Sequence, residues 1–262
     1  MYKHHEDSIE IMKNYFAQRE EVIAVILGGS VAKGCERPDS DLDAMVIITP
    51  EAYAARVKSN TTVETIFGQC TYEEGYFDTK YMTKDYLIDA AEKASEPTRN
   101  SFVQSRVIYS KDPEIEEILS RIPVFQQSEK ADKMLSFFAE LSLNYNYFLK
   151  ICHPEGFMKL HVCNEIIYSV YRMILQEKEV LFPCNRRLEE TVDALKDKPE
   201  NIVALGLQFA ADQSEASADA FVGAYMAWRK YPIPDDYNNI LSRYTADFEQ
   251  WWREPRPLVV EW

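Results

Sequence analysis

Apolar residues recur at helical spacing between His5 and Gln18, where Ile9, Met12, Tyr15 and Phe16 fall on one face. That spacing predicts an amphipathic helix. Val22–Leu27 (VIAVIL) is a continuous apolar run closed by Gly28-Gly29, as expected of a strand buried on both faces. Asp41–Thr49 (DLDAMVIIT) reads as a second strand, stopped by Pro50. Thr62–Cys70 and Tyr76–Thr83 have strand composition, with a turn at Glu73-Glu74-Gly75 between them. Helical stretches follow at Lys84–Lys93 and Thr98–Gln104, then a short strand at Val107–Tyr109. Asp112–Ser120 reads as a helix whose acidic run, Pro113–Glu117, suits the positive end of its dipole.

Beyond Pro123 the texture changes. Ser128–Lys150, Phe157–Glu177, Arg186–Lys196, Ile202–Asp212, Ser214–Lys230 and Tyr237–Trp252 all suit helices, and strand-like runs largely vanish. The pattern predicts a domain of alternating strands and helices over residues 1–124 and an all-helical domain over residues 125–262. The tail Glu254–Trp262, with two prolines, reads as extended, either loose or packed back through Trp262.

Charge narrows the possible functions. The 262 residues carry 29 Lys and Arg against 43 Asp and Glu, a net charge of −14. Neither half of the chain is basic, so the usual electrostatic basis for holding a phosphate backbone is missing and no nucleic-acid partner is expected. No apolar run is long enough to span a membrane, and the N-terminal segment lacks the apolar core of a secretion signal, so the expected location is cytoplasmic. The five cysteines show no metal-ligand spacing and read as reduced thiols, several of them in cores. His4 and His5, near the terminus, read as solvated, and His161 as a core or surface residue. Most of the aromatic residues of the second half, among them Phe137, Phe138, Tyr168, Tyr171 and Trp228, read as bundle core.

The chemistry concentrates in LGGSVAKGCERPDSDLDAMVII. Of only 8 glycines, Gly28, Gly29 and Gly34 fall in this stretch. A buried strand that ends at Gly28-Gly29 lets the backbone turn sharply and approach a ligand. Ser30 then opens a helix, where free backbone N–H groups and a hydroxyl suit a phosphate. Ser40-Asp41-Leu42-Asp43 opens the next strand. Alternation puts Asp41 and Asp43 on one face and Leu42 on the other. Two adjacent carboxylates repel unless a cation neutralises them, and Mg²⁺, which prefers oxygen ligands, is the natural partner. Taken separately, Gly-Gly-Ser is a common turn and Asp-x-Asp is often a solvated strand end. The pair at this spacing, bracketed by apolar strands, points to phosphate and metal.

Gly28-Gly29-Ser30 followed after ten residues by Asp41-Leu42-Asp43 resembles the signature of the nucleotidyltransferase superfamily, which includes DNA polymerase β and the kanamycin- and lincosamide-type antibiotic nucleotidyltransferases. The helical second half, through IIYSVYRMILQEKEVLFPCNRRLEETV, resembles the companion domain of the antibiotic-modifying branch. The resemblance implies an α+β fold, with a mixed β-sheet and flanking helices followed by a helical bundle. It also implies Mg²⁺, with two ions expected, and ATP or another nucleoside triphosphate as co-substrate. Gly28, Gly29 and Ser30 would hold the phosphates, with Lys33 and Ser40 as further candidates. Asp41 and Asp43 would ligate metal, with a third carboxylate on a neighbouring strand: Asp78 in GYFDTKYM, or else Glu64 or Glu74. Lys80, on the same strand face as Asp78, would reach a phosphate or pair with a carboxylate. A glutamate of the helical domain, Glu140 or Glu165, would be the general base.

The implied reaction is attack of an acceptor hydroxyl on the α-phosphorus with loss of pyrophosphate. The expected acceptor is a small hydroxylated molecule, with an aminoglycoside-like antibiotic compatible with the acidic chain. Two alternatives stay open: adenylylation of a partner protein's hydroxyl, and a nucleotide-binding regulator without catalysis. The expected assembly is a monomer or a homodimer.

Overall fold

The computed structural model describes residues 1–253 and Trp262, and the chain separates into two compact units, Met1–Val124 and Phe125–Trp262. Among the described residues no helix is long and apolar enough to cross a membrane.

The first unit is built on a mixed five-stranded sheet in the order β3-β4-β2-β1-β5. Its strands are β1 (Val22–Leu27), β2 (Leu42–Ile48), β3 (Val63–Phe67), β4 (Tyr76–Met82) and β5 (Arg106–Ser110). β1 pairs antiparallel with β2 and β5, and β3 pairs antiparallel with β4. β2 and β4 are parallel. A parallel pair needs a crossover, and the crossover here runs through α3 (Pro50–Ser59) and β3.

Helix α3 is absent from the pattern of apolar positions because no residue on it is buried. Pro50, read as a strand stop, is also a helix start: it occupies the first turn, and the Thr49 side chain accepts the Ala52 N–H. Asn60, left-handed at φ 56°, closes the helix.

Both faces of the sheet are packed. Helix α1 (Lys3–Ala17) covers one face, where Met12 and Phe16 meet Val25, Leu27, Leu42, Val46 and Phe77. On the opposite face Ile26, Met45 and Ile47 meet Leu87, Phe102, Ile115 and Ile118 from α4 (Lys84–Lys93), α6 (Glu114–Arg121) and the residues after the short helix α5 (Glu96–Ser101). Each fully buried side chain of this kind contributes about 1.5–3 kcal/mol of transfer free energy. This second core occupies only one end of its face. At the other end β2 and β4 carry polar side chains.

His5 corrects its expected solvation. The ring is fully buried, and its Nε2 lies 3.2 Å from the Ser40 carbonyl. Burial lowers its pKa below the usual histidine value. His4 is half-buried, with its Nε2 2.9 Å from the Pro38 carbonyl. Near its N-terminus α1 therefore holds the loop that leads into β2.

The second unit is helical. α7 (Lys130–Ser142) passes into a π-helical segment, Leu143–Leu149, and packs on the long α8 (Gly156–Glu177). α9 (Asn185–Asp193), α10 (Ile202–Asp212), α11 (Glu215–Trp228) and α12 (Tyr237–Tyr244) complete the bundle. Phe137, Ile166, Val170, Tyr171, Ile174, Phe209 and Phe221 form its core. The exposed aromatic residues Tyr147, Trp251 and Trp252 stand outside it. Gly206 lets α10 approach α8, because a Cβ there would collide with the Tyr171 hydroxyl. Of the cysteines only Cys163 is buried, and all five are free.

The tail expectation falls mostly on residues 254–261, outside the described residues. Trp262 itself is buried, and its carbonyl accepts from Arg172 at 2.5 Å. The Arg172 guanidinium lies over the Phe182 and Phe137 rings at 3.9 and 4.5 Å.

Candidate active site

The uncovered end of the sheet face brings together side chains that are far apart in sequence. Parallel pairing sets Asp43 directly beside Asp78 and Leu42 beside Phe77. Phe77, Thr79 and Leu42 point into the α1 core, so Asp78 and Asp43 point the other way. Asp41, two residues before Asp43, joins them. One carboxylate oxygen from each of Asp41, Asp43 and Asp78 lies within 4.8 Å of the others.

Burial pushes the Asp43 carboxyl up to about 6, helped by the charges of Asp41 and Asp78 and opposed by those of Lys80 and Lys33. Among the described residues no ion pair is formed to any of the three. All three offer hard carboxylate oxygens to one point, which fits a divalent cation.

The glycine turn lies on the other side of β2. The Gly28 N–H continues the β1–β2 pairing to the Asp43 carbonyl at 3.0 Å. Gly29 has φ +64°, and a Cβ there would coincide with the Asp43 carboxylate. Only glycine combines that conformation with that approach. Gly29 and Ser30 begin the five-residue helix α2 (Gly29–Lys33), so their N–H groups lie outside its own hydrogen-bond ladder.

The remaining predicted residues divide. Ser40 is buried, and its Oγ accepts the Arg37 N–H at 2.9 Å, so its hydroxyl shapes the loop before Asp41. Lys33 donates to the carbonyl and side-chain oxygens of Asn100, both at 3.3 Å, while its charge still lowers the Asp43 pKa. Lys80 is exposed on the same face as Asp78. Glu64 lies opposite Thr79, on the other face; it accepts from the Tyr81 hydroxyl at 2.7 Å and stands 3.7 Å from Arg56. Glu74 is exposed in the β3–β4 turn. Of the three candidates for the third carboxylate, Asp78 is the one in the cluster.

Glu140 and Glu165 meet each other inside the helical unit. Burial and the hydrogen-bonded Glu165 push Glu140 well above the usual carboxylate range. Ser169 Oγ lies 3.1 Å from Glu140, and Asn164 and His161 reach Glu165.

Two tyrosines at the carboxylate end escaped the motif. Tyr76 precedes Asp78 by two residues on the same face, and its hydroxyl pKa is raised chiefly by the charge of Asp41 and a hydrogen bond to it. Period-two alternation from Asp78 was the available signal. Tyr72 donates to the Ser40 carbonyl at 2.5 Å, beside His5. No local pattern marks that contact.

Residues 10–114 match the family model described as Polymerase beta, Nucleotidyltransferase. The chain carries a nucleotidyltransferase domain of the polymerase β type, and the protein is a transferase. None of the curated proteins matches the chain. Among solved structures, a nucleotidyltransferase-like protein from Exiguobacterium sibiricum 255-15 is similar, with 10% identity, a TM-score of 0.47 and coverage of 97% of this chain and 81% of that one.

Proposed function

We propose that the protein transfers a nucleoside monophosphate, AMP from ATP, to a hydroxyl of a small acceptor and releases pyrophosphate. The observation that carries this reading is the cluster of Asp41, Asp43 and Asp78 beside the Gly29–Ser30 turn. A module that only bound a nucleotide would have no need for three mutually repelling carboxylates, which cost stability unless a cation joins them.

In this reading Asp41, Asp43 and Asp78 hold divalent metal, Mg²⁺ by its preference for carboxylate oxygen. The bound metal would supply charge neutralisation at the phosphates and at the attacking oxygen. The N–H groups of Gly29 and Ser30 bind the terminal phosphates. The acceptor oxygen forms a bond to the α-phosphorus. The bond from that phosphorus to the bridging oxygen breaks, and its electron pair leaves with pyrophosphate. The hydroxyl proton passes to an Asp78 carboxylate oxygen and on to solvent. Of the two candidate bases in the helical unit, Glu140 is buried against Glu165, which favours its neutral form and makes it the poorer proton acceptor.

The acidic chain favours a cationic acceptor over a nucleic acid. An aminoglycoside-like antibiotic belongs to that class, and the reaction suits a cytoplasmic protein supplied with ATP. The test is calorimetric titration of a non-hydrolysable ATP analogue with Mg²⁺, followed by pyrophosphate release with hydroxylated acceptors. Binding that requires Mg²⁺ and disappears in Asp43→Asn supports the reading. Equal binding with and without metal overturns it.

A further inference from the structure

The three carboxylates of the cluster are not held alike. Asp43 and Asp78 lie inside the sheet, paired with each other between β2 and β4, and the Asp43 carbonyl also accepts the Gly28 N–H. Asp41 stands one residue before the first paired residue of β2, outside the ladder. Its backbone is clamped instead by α1 and the β3–β4 turn: the Ser40 carbonyl accepts the Tyr72 hydroxyl at 2.5 Å and lies 3.2 Å from the His5 Nε2. Neither contact touches the Asp41 side chain. A ligand side chain that must be ordered as the metal arrives costs part of the binding free energy.

The register that sets Phe77 beside Leu42 brings Tyr76 beside Asp41. Tyr76 precedes Asp78 by two residues, on the same face, and its hydroxyl donates to the Asp41 carboxylate. The Tyr76 ring is in turn flanked from the edge strand. Phe67 lies directly opposite it across β3 and β4, with ring centroids 5.4 Å apart and planes inclined by 45°. Phe67 is 71% exposed and adds little to the core, so Tyr76 is what its ring supports.

We propose that Tyr76 is the positioning residue of Asp41 for the metal, with Phe67 as its brace: the hydroxyl holds one Asp41 carboxylate oxygen and so turns the other toward Asp43 and Asp78. The inference rests on the metal role of the triad in the nucleotidyl-transfer reading and adds how its least constrained ligand is ordered. A phenol suits this task better than a lysine or an arginine. Its O–H donates one hydrogen bond and brings no charge, so the carboxylate is oriented while the negative charge that attracts a divalent cation stays whole. A cationic side chain in the same place would neutralise Asp41 and compete with the metal. Groups that orient a metal ligand in this way are worth about 10- to 100-fold in metal affinity.

The experiment measures Mg²⁺ binding to the full chain by calorimetry, with thermal melts in EDTA, for wild type, Tyr76→Phe, Phe67→Ala and the double variant. Tyr76→Phe keeps the ring and removes the hydroxyl alone. It should bind Mg²⁺ about 10-fold more weakly than wild type and melt within about 2 °C of it in EDTA. Phe67→Ala should weaken Mg²⁺ binding about 3-fold. The double variant should bind no more weakly than Tyr76→Phe, because Phe67 acts through the hydroxyl. Equal Mg²⁺ affinity in Tyr76→Phe and wild type overturns the proposal, and so does an affinity loss matched by an equal loss of stability in EDTA. Losses that multiply in the double variant overturn the brace. Where wild type binds Mg²⁺ and a non-hydrolysable ATP analogue, each of these outcomes leaves the transfer reading standing. A wild type that binds no Mg²⁺, alone or with the analogue, overturns both.

Discussion

Replacing Asp43 with asparagine separates stability from function, because the same carboxylate that would hold metal strains the metal-free fold. Its pKa rises from 3.8 to about 6 through burial and the neighbouring Asp41 and Asp78. That rise corresponds to about 3 kcal/mol. The group is partly solvated, and screening reduces the figure to about 1–2 kcal/mol. The sign follows from linkage. A carboxyl whose folded-state pKa is raised favours the folded state below its unfolded pKa of 3.8, and that contribution is lost as pH rises through 6. At pH 7.5 in EDTA, Asp43→Asn should therefore melt about 3–8 °C above wild type, and the gap should close near pH 4. Saturating Mg²⁺ should reverse the order by stabilising wild type by about 2–3 kcal/mol at a hundredfold excess over Kd, with little effect on the variant. Mg²⁺ binding to wild type should weaken as pH falls below about 6. Thermal melts by circular dichroism across pH 4–8, with and without Mg²⁺, read all of this. A variant less stable than wild type in EDTA at pH 7.5, or one stabilised equally by Mg²⁺, would refute the electrostatic account of the triad.

Other substitutions test individual contacts. Gly29→Ala should destabilise the first unit by about 2–4 kcal/mol, from the φ of +64° and the clash with Asp43, in urea denaturation. Burial favours the neutral form of Glu140, which an amide mimics, so Glu140→Gln should change stability by less than about 0.5 kcal/mol; Glu140→Leu should cost about 1–3 kcal/mol by stranding Ser169. A large loss in the glutamine variant would show that Glu140 is ionised in the fold. Tyr72→Phe removes the 2.5 Å hydrogen bond to the Ser40 carbonyl and should cost about 0.5–1.5 kcal/mol. It should also weaken Mg²⁺ binding a few-fold through Asp41, and unchanged metal affinity would separate the loop anchor from the metal ligands.

The sequence alone determined what is local. Val22–Leu27 and the Ala44–Ile48 part of the second strand are legible as strands because uninterrupted apolar runs bury both faces. Gly29 and the Asp41–Asp43 alternation are legible because a turn and a strand act over a few residues. What depends on residues far apart in the chain came only from tertiary structure. The parallel register of β2 with β4 selects Asp78 over Glu64, since a slip of one residue would turn Asp78 into the α1 core. The burial of His5 and the contact of Tyr72 with Ser40 arise where a helix and a hairpin turn converge on one loop. Helix α3 carries no buried stripe, so only its caps announce it. Glu140 and Glu165 read as interchangeable along the chain, and it is the packing of α7 on α8 that buries Glu140 and raises its pKa. Periodicity records which face of an element is buried; which elements share that face is decided by the free energy of the packed whole.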